Sequence, residues 1–229
     1  MSQPSILESI LGPIIKPTLE FLRRWFSRDT MANPDLKSGV ALRPIQNAYP
    51  GNGRVILKPL LDLTGREWGK FHSYFRDREI AELNGSNPLR MPLWLFRRVV
   101  SGEERGGERS GFGIFDLQEN FIGSVEFYEL NPHRPRQPLE GTLGIEIGEK
   151  HLWGLGYGGD ALTVALEYAF TKMGLRRVKL ETLERNARAR RAFEKAGFVL
   201  ERITNEARGQ RFAHYVLDRS RWLEIQLPE

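Results

Sequence analysis

The 229-residue chain contains no cysteine. Disulfide bridges, thiolate metal sites and cysteine nucleophiles are therefore excluded, and nothing in the composition indicates an oxidising compartment. No apolar run approaches the roughly 20 residues that a membrane-spanning helix needs. The N-terminal segment also lacks the basic and clean apolar regions of a secretory signal. We expect a cytoplasmic protein on these grounds.

Motifs of several catalytic classes are missing as well. The four histidines are scattered and form no H-x-x-x-H or E-x-x-H pair, so we expect no metal site. A G-x-S-x-G elbow is absent, which argues against a serine hydrolase. The Gly-Lys-Ser/Thr that completes a P-loop is absent too.

What is present is an ordinary globular composition, with 40% hydrophobic and 28% charged residues and a net charge of +5. This length supports one sizeable core with an appendage, or two small domains. The positive balance is compatible with an anionic ligand, an anionic membrane surface or nucleic acid. The most basic helix, at residues 185–195, lacks interleaved aromatics, so we expect no nucleic acid partner.

Residues 1–30 are predicted to form an amphipathic helical extension, because apolar residues recur at helical spacing along a wide face. Pro13 and Pro17 must break or kink it. Two interpretations stay open. The apolar face packs on the main domain or on a sister subunit in a homodimer, or residues 5–28 make a peripheral contact with a membrane or partner.

The rest of the chain is predicted to comprise a linker at 31–53, a main domain at 54–220 and a C-terminal tail at 221–229. Strands are predicted by alternation and helices by 3.6-residue periodicity. The predicted strands are 54–60, 110–116, 120–130, 142–148, 177–183, 198–203 and 211–218. The predicted helices are 64–75 with Thr64 as N-cap, 77–83, 92–101, 187–195 and one ended by Gly174. This order favours an α+β (mixed α/β) domain with one mixed sheet.

The most informative segment is EIGEKHLWGLGYGGDAL at 146–162. Four of its glycines, Gly154, Gly156, Gly158 and Gly159, crowd the entry to an amphipathic helix, where the backbone can bend sharply and approach a ligand closely. A helix start offers unpaired amides and the positive end of a dipole, which suit a phosphate or pyrophosphate. The spacing G-x-G-x-G-G does not match the dinucleotide fingerprint G-x-G-x-x-G.

A second segment, NARARRAFEKAGF at 186–198, follows the next predicted strand. Together the two segments resemble the GNAT N-acetyltransferase superfamily, and specifically its RimJ/RimL-like branch, which reads W-G-x-G-Y-x-x-E-A-L and then N-x-x-S-x-R-x-Y/F-E-K-x-G-F. The resemblance extends over residues 54–218. It implies a GNAT fold, whose central, mostly antiparallel sheet is splayed at the acyl-CoA site and flanked by helices. It also implies acetyl-CoA as cosubstrate and an amine as acceptor.

The resemblance further implies residue roles at the cofactor site. Amides from Leu155 to Asp160 would cradle the CoA pyrophosphate, Asn186 would bond the pantetheine arm, and an amide near Ile147 would polarise the acetyl carbonyl. The implied cofactor-binding residues are Ile147, Leu155, Gly156, Tyr157, Gly158, Gly159, Asp160, Asn186, Arg191 and Phe193. Whether Arg190 and Arg191 meet the 3′-phosphate or are only solvated stays open.

Direct transfer needs a base that accepts a proton from the acceptor amine. Two acids are candidates. Glu181 lies five residues before Asn186, where some family members carry a catalytic glutamate, and Glu146 lies on the preceding strand, opposite in side to Leu143, Ile145 and Ile147. For each of them, an ordinary half-exposed strand acid is the competing interpretation.

The chain departs from the family at two positions. Phe193 stands where many GNAT enzymes carry a tyrosine that protonates the leaving thiolate, and Ala189 replaces the helix serine. A non-catalytic acyl-CoA-binding or sensing module is therefore the alternative to an N-acetyltransferase. The acceptor, a protein N-terminus or a small-molecule amine, is left open.

Overall fold

The computed structural model describes residues 54–107, 109–130, 140–205 and 209–226. The predictions for the extension and the linker lie outside these residues. The strands are β1 (Val55–Pro59), β2 (Ser110–Asp116), β3 (Phe121–Tyr128), β4 (Glu140–Ile147), β5 (Arg177–Leu183), β6 (Val199–Asn205) and β7 (Arg211–Asp218). The helices are α1 (Gly65–Arg76), α2 (Arg78–Leu83), α3 (Leu93–Gly106), α4 (Tyr157–Thr171), α5 (Ala187–Lys195) and α6 (Arg219–Gln226).

The seven strands form one sheet in the order β1-β2-β3-β4-β5-β7-β6. Every neighbouring pair is antiparallel except β4 and β5, which are parallel. Ladder pairs between β4 and β5 join only residues 140–142 to residues 177–179, and among the described residues none follows. The two strands then diverge, and the sheet opens as a wedge at their carboxyl ends. The predicted mixed, mostly antiparallel, splayed sheet is confirmed.

The face of the sheet under α4 is apolar. Leu143 is buried there, and Ile145 and Ile147 pack against the same cluster, which confirms the predicted side for these three residues. Val125 and Phe127 continue this face on β3 with exposed fractions of 0%. Because side chains alternate along a strand, Glu126 and Glu146 lie on the opposite face, toward α1, α2 and α3.

Side-chain caps fix the starts of α1, α2 and α5. Thr64 accepts from the Glu67 amide and Glu67 accepts from the Thr64 amide, a complete capping box at α1. This confirms Thr64 as N-cap. Asp77 caps α2 with a single hydrogen bond, which its carboxylate accepts from the Ile80 amide at 3.1 Å.

The end of the described chain is helical. α6 packs Trp222 against Phe170 of α4 with ring centroids 5.3 Å apart, and Trp222 is buried. Part of the segment predicted as a tail therefore belongs to a packed helix. Two other elements also exceed their predicted lengths, since α3 continues to Gly106 and β4 begins at Glu140, where it pairs with Arg177. No helix in the described ranges is long and apolar enough to cross a bilayer.

Candidate active site

The turn between β4 and α4 is built on glycines that a side chain would strain. Gly154 and Gly156 have φ of 80° and 95°, a region that L-residues with a Cβ rarely adopt. Gly156 is the N-cap of α4, and no side chain caps that helix. The first amide to make a helical bond is that of Asp160, which donates to the Gly156 carbonyl at 3.1 Å.

The predicted amide cradle is therefore narrower than residues 155–160. The Leu155 amide donates to the Leu152 carbonyl at 3.3 Å, and the Asp160 amide is engaged in the helix. Within the described chain, the amides of Gly156, Tyr157, Gly158 and Gly159 make no hydrogen bond. Four adjacent donors at the positive end of a helix form an anion-binding concavity.

Arg54 holds this turn from the start of β1, a role that sequence reasoning missed. Its Nε donates to Asp160 Oδ2 at 2.7 Å, and its Nη1 donates to the Leu155 carbonyl at 2.6 Å. A Cβ at Gly156 would stand 2.5 Å from Arg54 Nη2. The turn thus needs glycine at position 156 for two reasons, the positive φ and the guanidinium against it.

The open end of the wedge is bridged by an aromatic and a guanidinium. Trp153 donates its indole N–H to the Ile147 carbonyl at 2.6 Å, which ties the turn to the end of β4. The Arg188 guanidinium of α5 lies over the Trp153 ring, 4.0 Å from its centroid. Desolvation there lowers the pKa of Arg188 below its usual range. Elements on both sides of the wedge therefore meet at Trp153.

The start of α5 lies on the β5 side of the wedge. Asn186 is its N-cap and accepts from the Ala189 amide at 3.2 Å. Arg190 is engaged, because it donates to the Tyr215 hydroxyl at 2.9 Å, whereas Arg191 is exposed. Phe193 is buried against Phe198 and Tyr215, the second pair with ring centroids 6.0 Å apart. The ring at 193 therefore packs as a core residue.

Glu146 carries a strongly perturbed carboxyl beside the wedge. The Asn84 side-chain amide donates to its Oε2 at 2.8 Å, whereas its Oε1 is buried without a hydrogen-bond partner. Desolvation raises the pKa of Glu146 to about 7, opposed by the Asn84 hydrogen bond and reinforced by the negative charges of Glu126 and Asp77. A carboxyl with a pKa near neutrality is suited to accept a proton.

Glu181 lies across the wedge on β5. Its carboxylate is 3.4 Å from His214 Nδ1 of β7, an adjacent strand, and the other nitrogen of that ring lies 2.7 Å from the Thr204 hydroxyl. Tyr128 has its pKa raised by burial and then by the charge of Glu181. Its ring edge lies 3.3 Å from the position of a Cβ at Gly144. The sheet face opposite α4 is therefore acidic on both sides of the wedge.

An open cavity of about 580 Å³ lies where α1 and α2 meet the end of β4, lined in part by Tyr74, Asp77, Glu149 and Lys150. Four of its side chains are engaged with one another, since Lys150 contacts Asp77 at 2.8 Å and Tyr74 donates to Glu149 at 2.8 Å. No group of three or more histidines, aspartates and glutamates in the described ranges could hold a metal ion.

The wedge, the uncapped glycine turn and the helix that follows β5 all lie in a segment that matches one family. The model of the GNAT acetyltransferase domain matches residues 54–199 of this chain, and the chain belongs to that family.

Relatives of known structure share the fold. A spermidine N-acetyltransferase from Vibrio cholerae, solved with CoA and spermine, superposes with a TM-score of 0.64 at 22% identity, over 74% of this chain and 98% of that one. A GNAT acetyltransferase from Bacillus anthracis gives a TM-score of 0.58 at 16% identity, over 76% of this chain and 98% of that one.

A curated relative is similar in sequence. The spermidine N(1)-acetyltransferase of Vibrio cholerae is 34% identical over 91 residues, which are 39% of this chain and 49% of that protein. The match therefore spans about half the length of the curated relative.

Proposed function

We propose that this protein transfers an acetyl group from acetyl-CoA to a primary amine of a small cationic molecule such as a di- or polyamine. The observation that carries the proposal is the start of α4, where four unpaired amides (Gly156 to Gly159) stand beside the wedge between β4 and β5. Family membership supports the same chemistry.

In this proposal the cosubstrate lies across the wedge. The amides of the turn bind the pyrophosphate of CoA, as expected for a diphosphate at a helix start. The thioester arm enters between β4 and β5, which share no ladder pairs beyond Thr142 and Lys179. Asn186 reaches the pantetheine arm through its side-chain amide, and exposed Arg191 supplies a cation for the 3′-phosphate. Acetyl-CoA is then held by backbone on one side and by α5 on the other.

The acceptor class follows from charge. The sheet face opposite α4 carries Glu146 and Glu181 on the two sides of the wedge. Glu126, on the same face, is buried and paired with Arg109. A protonated amine is attracted to such a face, and its further ammonium groups find carboxylates nearby. The curated relative acts on spermidine by its name, which supports a polyamine over a protein N-terminus.

Glu146 is proposed as the general base. Its carboxylate accepts a proton from the acceptor ammonium, directly or through a water, and the neutral amine forms the new C–N bond to the thioester carbonyl. The C–S bond then breaks, its electron pair leaves on the CoA sulfur as a thiolate, and the nitrogen, cationic after the attack, gives up a second proton to water. Because a thiol has a pKa of about 8.5, the thiolate can take its proton from solvent, and a phenylalanine at 193 is compatible with turnover.

The test combines acetyl-CoA with a panel of amines, including spermidine, a monoamine and a peptide with a free N-terminus. Release of free CoA with the polyamine, well above the rate without amine, is the expected result. Glu146→Gln should lower kcat by about 10²- to 10⁴-fold, the range for a lost general base, and leave CoA affinity in calorimetry unchanged.

Two outcomes would contradict the proposal. CoA binding without turnover on any amine would favour the alternative, a non-catalytic acyl-CoA-binding module, for which Phe193 is the favouring observation. Absence of CoA binding would remove both functions. Glu181→Gln is the matched variant. If it abolishes turnover while Glu146→Gln keeps full turnover, the general base is Glu181 of β5 and not Glu146.

A further inference from the structure

The turn after α2 touches both sides of the wedge. On the β4 side, Asn84 donates its side-chain amide to Glu146. On the other side, the Cβ position of Gly85 lies 2.6 Å from the Phe212 ring and 3.3 Å from the Leu183 side chain. The turn at Asn84 and Gly85 therefore spans the place where β4 and β5 part.

The backbone of this turn is fixed by its own hydrogen bonds. The Asn84 amide donates to the Ile80 carbonyl at 3.0 Å, and the Ser86 amide donates to the Ala81 carbonyl at 2.8 Å. Gly85 has φ of 71°, the left-handed conformation that ends a helix without strain only when glycine occupies it. Asn84 thus presents its side chain from a rigid support, which limits the entropy lost when its amide holds a partner.

The two oxygens of the carboxylate that Asn84 contacts differ in their hydrogen bonding. Oε2 of Glu146 accepts the amide N–H at 2.8 Å, while Oε1 is buried and has no partner. A buried carboxylate oxygen without a donor is costly unless a proton, a water or a cation reaches it. The contact with Asn84 fixes which of the two oxygens is left for that purpose.

We infer that Asn84 is a positioning residue for proton transfer, holding Oε2 of Glu146 so that Oε1 is the atom that takes the proton of the acceptor amine. The inference rests on the proposed function. Nothing in the matched family segment or in the sequence pattern points to Asn84, because it lies 62 residues from Glu146.

The direction in which replacing Asn84 shifts the pKa of Glu146 follows from the groups that face Glu146. Glu126 on β3, Asp77 between α1 and α2, and Tyr74 on α1 are the titratable neighbours. The two acids and burial favour the protonated carboxyl, whereas the Asn84 hydrogen bond favours the ionised form. Removing that hydrogen bond must therefore raise the pKa of Glu146, and the fraction ionised at a pH below that value must fall.

The experiment compares kcat/KM from pH 5.5 to 9 for the wild type, Asn84→Ala and Asn84→Asp, with saturating acetyl-CoA and the best amine of the panel. We expect the acid limb of Asn84→Ala to move up by about one pH unit, which is a tenfold loss at low pH, with recovery toward wild type at pH 9. Asn84→Asp adds a negative charge beside Glu146 and should move the limb further. Asn87→Ala is the matched control, because Asn87 is an exposed asparagine of the same turn.

A readout without turnover completes the design. The carboxyl of Glu146, followed by infrared or carbon NMR titration and assigned with Glu146→Gln, should titrate at higher pH in Asn84→Ala. Asn84→Ser, a smaller change, repeats the measurement if Asn84→Ala melts early.

The inference is overturned if the acid limb and the titration of Glu146 are unchanged in both Asn84 variants, or if activity falls equally at every pH. Failure of the proposed function looks different, because the wild type itself would then release no CoA with any amine. If the wild type turns over normally and the acid limb and the Glu146 titration of the Asn84 variants do not shift, only the role of Asn84 is rejected.

Discussion

Two helix starts in this domain are built in opposite ways. At α1 the backbone amides are satisfied by the chain itself, since Thr64 and Glu67 exchange hydrogen bonds in a capping box. At α4 glycines replace the capping side chain, and four amides are left without a partner in the described chain. A helix end is stabilised by a cap, so the uncapped start has given up local stability where a ligand can supply the missing acceptors.

The charged residues around the two helix starts also differ. Arg54 and Asp160 pair at 2.7 Å beside the α4 start, so the carboxylate in the first helical turn is neutralised where a diphosphate would bind. At α1, the carboxylate of Glu67 is held by the Thr64 amide at 2.6 Å. The comparison indicates that glycine, exposed amides and a neutralised acid together distinguish a binding start from a structural one.

The largest expected effect is that of Gly158→Leu. A Cβ at Gly158 would meet only Ile147, at 3.7 Å, so the chain should fold while the new side chain fills the space above the amides. Loss of charge-assisted hydrogen bonds worth about 3 kcal/mol should weaken CoA binding about 100-fold in calorimetry. Gly69→Leu on α1, where a Cβ would meet nothing within 4 Å, should leave CoA affinity unchanged. Equal affinities in the two variants would remove the distinction between the helix starts.

A smaller loss is expected from Arg54→Ala. Without the guanidinium, Asp160 places an uncompensated negative charge near the phosphates, and CoA affinity should fall about tenfold, or about 1.4 kcal/mol. Asp160→Asn in the same background removes that charge and should recover part of the affinity. If the double variant binds no better than Arg54→Ala, Arg54 acts on the shape of the turn and not on its charge.

The smallest effect belongs to the capped start. Thr64→Ala removes one acceptor of the capping box and should cost about 1 kcal/mol of the free energy of unfolding, seen as a fall of about 2–4 °C in Tm. CoA affinity should not change. A loss of CoA binding in Thr64→Ala would show that the two helix starts are coupled, contrary to the comparison.

Much of the fold could be predicted from local patterns. The alternation of Leu143, Ile145 and Ile147 predicted both β4 and the side of Glu146, because side chains on a strand alternate by geometry. Thr64 could be predicted as a cap because capping depends on residues three apart. The helix α6 itself was not predicted, because its support is a distant contact, Trp222 on Phe170.

The site divides along the same line. Its glycine turn could be predicted, since glycine spacing is local. The roles assigned to individual cofactor-binding and catalytic residues stay predictions, as do the cytoplasmic location and the contact through residues 5–28. Arg54 and Asn84 could not be found, because their partners lie 106 and 62 residues away.

The sequence by itself determined the apolar and acidic faces of the sheet, the capped and uncapped helix starts, and the family to which the chain belongs, because each depends on neighbours along the chain. The assembled fold alone parts β4 and β5 after Thr142 and sets half-buried Glu146 beside Asn84, with its Oε1 atom buried and without a partner. The physical reason is that a pKa near 7 arises from desolvation and from charges on other elements, and the fold alone brings those together.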